Sequence, residues 1–113
     1  MVTFPKFIVE DGIIELGRVT FHKQLASDPT KVIGGGFWEW DRDKNKLLLY
    51  GESHDFGRVP LASLTNAILE TRELEYHTPG RKLLDCEIWW APDSHDPDWE
   101  NAKLFIEAVN RQG

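Results

Sequence analysis

Residues 7–16 read Phe7-Ile8-Val9-Glu10-Asp11-Gly12-Ile13-Ile14-Glu15-Leu16. Two apolar runs flank a two-residue Asp-Gly. That pattern predicts a β-hairpin, because both turn residues need a positive φ and Asp-Gly accepts it. The second strand extends toward Phe21 or His22, with Val19 and Phe21 on one side and Arg18, Thr20 and His22 on the other. Ser27-Asp28-Pro29-Thr30 then supplies turn chemistry.

Working outward from the hairpin, a third strand is expected from about Lys31 to Asp41 and a fourth from about Lys46 to Ser53, joined by the polar loop of residues 41–45. Leu47-Leu48-Leu49-Tyr50 is apolar on both faces, which predicts a central strand. Pro60 suits the first position of a helix whose stripe is Leu61, Leu64, Ala67 and Ile68, ending between Leu69 and Leu74. A fifth strand is expected over Lys82–Trp90. Asp96-Pro97-Asp98 reads as the start of a second helix with Trp99, Ala102, Phe105, Ile106 and Val109 inward. The order β-β-β-β-α-β-α predicts an α+β fold: about five mainly antiparallel strands with two helices on one face.

The 113 residues fit a single domain spanning 1–113. No apolar run approaches the roughly 18 residues of a membrane span. The opening Met1-Val2-Thr3-Phe4-Pro5 lacks a signal peptide's basic and apolar regions. A cytoplasmic protein with no membrane contact is expected. The single Cys86 excludes an internal disulfide and alternates with Leu84 and Ile88 as a small core residue.

The formal charge of −6 is local. Asp85, Glu87, Asp93, Asp96, Asp98 and Glu100 fall within residues 85–100, with no Lys or Arg among them and with Trp89, Trp90 and Trp99 interleaved. Such acids repel a phosphate backbone, so nucleic acid is not an expected partner. Trp is enriched at protein contacts. The leading expectation is a noncatalytic interaction module whose surface combines Asp85, Glu87, Trp89, Asp93 and Trp99 with Glu52 and His54. Its partner would be a protein of basic surface or a second copy of the chain, and no cofactor is expected.

Two other functions compete. Ser-His-Asp occurs twice, at residues 53–55 and 94–96. Consecutive residues cannot form a catalytic triad, because their side chains diverge. The same residues could instead hold a metal. His54, His95, Asp55 and Asp96, with Glu52 as ligand or general base and His22 and His77 as added ligands, would then serve a small hydrolase or nuclease if the two loops meet. No diagnostic metal spacing is present. Gly34-Gly35-Gly36 leads into Phe37-Trp38-Glu39-Trp40, a strand, and so is no phosphate loop of the helix-leading kind. Glycines in a strand mark a bulge or a close backbone approach. A small-ligand pocket beside Gly34–Trp38 is the third expectation.

Overall fold

The computed structural model describes residues 2–77, 86–105 and 107. The elements run β1 (Phe4–Glu10), β2 (Ile13–Val19), β3 (Val32–Asp41), β4 (Lys46–Tyr50), α1 (Leu61–His77), β5 (Glu87–Ala91) and β6 (Lys103–Leu104), with 3-10 turns at His22–Leu25 and Pro29–Lys31. All six strands form one sheet in the order β2-β1-β3-β4-β5-β6.

The hairpin turn lies at Asp11-Gly12, with φ of 52° and 76°. It sets an uninterrupted antiparallel register from Phe4↔Val19 to Glu10↔Ile13. β1 pairs antiparallel with β3, and β3 with β4. β4 and β5 are parallel.

The expected architecture of five mainly antiparallel strands under two helices is therefore corrected. Among the described residues the sheet has six strands, it is mixed, and there is one α-helix. The physical reason lies in the connection. A parallel pair needs a crossover of a dozen or more residues, and α1 between β4 and β5 is such a crossover. The expected second helix fails at its start. Asp98 accepts from the backbone N–H of Asn101 at 3.2 Å, closing a turn, and the chain then enters β6. Helical backbone begins only at Phe105.

β4 is central in fact: Leu47, Leu48 and Leu49 are fully buried. Leu47 and Leu49 join Phe7, Val9, Leu64, Ala67 and Ile68 beneath α1. Leu48 and Tyr50 face the other way, against Ala91, Ala102, Phe37, Trp89 and Trp99. Each leucine of this strand contributes about 1.5–3 kcal/mol by leaving water. Both faces of the sheet are thus covered around β4.

Candidate functional site

The glycine run builds the site by letting backbone approach backbone. A Cβ on Gly36 would sit 2.7 Å from the Tyr50 carbonyl oxygen. One on Gly34, where φ is 156°, would sit 2.7 Å from the Val59 nitrogen. One on Gly35 would collide with the Phe7 carbonyl oxygen and come within 3.2 Å of the His22 ring. The loop after β4 uses this room. Gly35 N–H donates to the Gly57 carbonyl, Ser53 N–H to the Gly35 carbonyl, and Gly57 N–H to the Ser53 carbonyl, at 3.0, 3.0 and 2.8 Å. Ser53 is buried, and its Oγ accepts from Phe56 N–H at 3.1 Å. His54 and Asp55 form the exposed tip of that turn.

The segment after β2 lies across the same strands. The Gln24 side-chain oxygen accepts from the N–H groups of Thr20 and Phe21 at 2.9 and 2.8 Å, closing the turn that carries His22. His22 is buried, 3% exposed. Its Nε2 lies 2.7 Å from the Gly36 carbonyl oxygen. A carbonyl only accepts, so Nε2 carries the proton and Nδ1 the lone pair. Burial holds the imidazole below its ordinary pKa; the Gly36 contact opposes this, the Lys6 charge reinforces it, and Asp55 opposes it. The ring packs edge-on against Phe37, which stacks on Tyr50.

Lys6 donates to the Thr20 carbonyl and lies near the Phe4 and Phe37 rings. Among the described residues the ion pairs are Lys46–Glu87 and Arg58–Asp93, so its ammonium has no carboxylate partner there. Lys6, Phe21, His22, Phe37, Ser53, His54, Asp55, Glu52 and His95 line one cavity of about 650 Å³. That size suits a small molecule.

Of the residues singled out from sequence, Glu52, His54, Asp55 and His95 share this cavity, so the loops carrying the two Ser-His-Asp copies meet. Asp96 is exposed and is not among the lining residues. Among the described residues no group of three or more His, Cys, Asp or Glu is placed to hold a metal ion. Glu87, Trp89, Asp93 and Trp99 stand elsewhere. Trp99 Nε1 donates to Glu39 and Trp89 Nε1 to Glu87, each at 2.7 Å. Glu87 also pairs with Lys46 at 3.6 Å, whose ammonium covers the Trp89 ring, and Asp93 pairs with Arg58 at 2.9 Å. Asp85 lies outside the described residues.

Sequence reasoning missed Lys6, and it read His22 only as an added metal ligand, not as a buried wall of this cavity. The available signal was a polar Lys6 on an apolar strand and a histidine shortly before three glycines that could admit its ring.

No helix among the described residues is long and apolar enough to cross a membrane. No curated protein and no solved structure matches the chain. A family model described as the Janus/Ocnus family (Ocnus) matches residues 17–78, which include His22, the glycine run and the Ser53–Gly57 turn.

Proposed function

The chain belongs to the Janus/Ocnus family, and on that premise we propose that it is a small-ligand-binding domain whose cavity takes a compound bearing an anionic group. This is not the pocket expected beside Gly34–Trp38: of residues 34–38 only Phe37 lines it. The observation that carries it is the pairing of two groups in one cavity: a lysine without a carboxylate partner among the described residues, and a buried imidazole. The lysine supplies charge to an anion, strengthened by its half-buried setting. The imidazole, neutral and with its tautomer fixed by Gly36, supplies a lone pair. A histidine in that state can accept a proton from a bound ligand or attack it.

Isothermal calorimetry with inorganic phosphate tests the reading. Saturable binding that is weakened at least tenfold by Lys6→Ala is expected. Absence of binding at millimolar phosphate, or equal binding by Lys6→Ala, would overturn it.

The acidic Trp face is the second reading, for a protein of basic surface or for self-association. It is favoured by Asp93, whose side chain is 87% exposed. Light scattering with pull-downs at low salt tests it: a monomer that recovers no partner would remove its support.

A further inference from the structure

Two acids face each other across the β1–β2 hairpin. Glu10 pairs with Ile13, and Glu15 lies two residues further along β2 on the same face. The two side chains are diagonal neighbours, within reach of each other. Glu10 is only 6% exposed. Each oxygen of its carboxylate accepts one backbone N–H: Oε1 from Ser27 at 3.1 Å and Oε2 from Asp28 at 2.5 Å, which leaves acceptor sites open. Oε2 of Glu15 is shut off from water and meets no donor. Neither acid has an ion-pair partner among the described residues.

A buried carboxylate oxygen without a donor is costly, and two such charges side by side cost more. A protonated carboxyl resolves both, since it becomes a donor. We infer that Glu10 and Glu15 share one proton, carried by Glu15 and donated to Glu10, and that this proton locks the His22-bearing segment onto the sheet. The chemistry around each acid agrees. Burial and then the Glu10 charge push the Glu15 carboxyl up, while the Asp28 N–H leads the contacts that hold Glu10 down. Asp28 is the other charged group bearing on Glu10, and its own carboxylate is turned to the N–H and hydroxyl of Thr30.

The lock acts on the segment as a whole. At one end His22 is tied to Gly36; at the other Ser27 and Asp28 are tied to Glu10. Between them Leu25 lies over Gly17, where a Cβ would come within 2.6 Å of its Cδ2. Ionising Glu15 sets a second negative charge beside Glu10 and weakens the anchor of the segment that presents the imidazole. The lock concerns the unliganded protein and does not depend on the ligand proposed above.

The test is a carboxyl carbon NMR titration of the ligand-free full chain, with amide exchange measured at Ser27 and Asp28. Glu15 is expected to titrate above the ordinary glutamate range. As it does, the Ser27 and Asp28 amides should shift and exchange faster. Glu15→Gln keeps a donor and removes the charge, so those amides should stay protected throughout the same pH range. An ordinary titration of Glu15 in the unmodified protein would overturn the proposal, whatever the variant does. So would amides that respond to pH equally in Glu15→Gln.

Discussion

The Nε2–H of His22 donates to the carbonyl oxygen of Gly36 at 2.7 Å, joining a residue of the 3-10 turn after β2 to the end of the glycine run in β3. The contact needs the imidazole inside the fold, where burial disfavours its charged form. A pH dependence follows. The unfolded histidine takes up its proton near the ordinary value of 6.5, ahead of the folded one. His22 therefore contributes stability above that value, and the contribution is lost as the pH falls through 6.5 toward the lower folded pKa. Urea unfolding at a series of pH values should show this loss in the parent and a smaller one in His22→Gln.

Gly35→Ala should disturb the site and the fold together. The added Cβ meets the Phe7 carbonyl oxygen and the His22 ring. Overpacking of this kind costs about 1–3 kcal/mol. Denaturant melts should show that loss, and the His22 ring resonances should move.

The hairpin, β3, the buried β4 and the helix after Pro60 were legible because each rests on local chemistry. Asp11-Gly12 takes a left-handed turn, and Leu47-Leu48-Leu49 demands burial on two faces. The parallel pairing of β4 with β5 was not read, although a helix between two strands is the signal for it. Asp96-Pro97-Asp98 suits a helix start, but Asp98 closes a turn and β6 follows. Local propensity lost there to strand pairing. The site was half legible. Glu52, His54, Asp55 and His95 announce themselves as clustered polar residues. Lys6 and His22 meet only because β1 pairs with β3 and the segment after β2 folds over both, and no local spacing encodes that.

The acid pair of the hairpin carries its own pH signature, in which Glu15 is opposite in sign to His22. Glu15 has its folded pKa raised, so its contribution is complete below the ordinary glutamate value of 4.5 and is lost as the pH rises through the folded pKa. Glu10 has its folded pKa lowered, so its contribution is lost as the pH falls through that pKa. The pair is most stabilising between the two. Glu15→Gln should flatten the upper limb of the stability profile measured by thermal unfolding.

Glu39→Ala should cost about 1.5–3 kcal/mol, the range for a hydrogen bond to a charged group. It leaves the Trp99 indole N–H without its 2.7 Å acceptor. Chemical denaturation reads the loss. Trp99 emission should shift as the loop holding it loosens.

The central claim is that Lys6 seats an anion in the cavity it shares with the His22 imidazole. Nitrogen NMR of the histidine rings during a titration with inorganic phosphate tests it most directly. The account predicts that the His22 Nδ1 resonance moves and saturates with phosphate, and that Lys6→Ala abolishes the movement while the His22 Nε2–H signal persists. A His22 ring that ignores phosphate, with the protein folded, would contradict it.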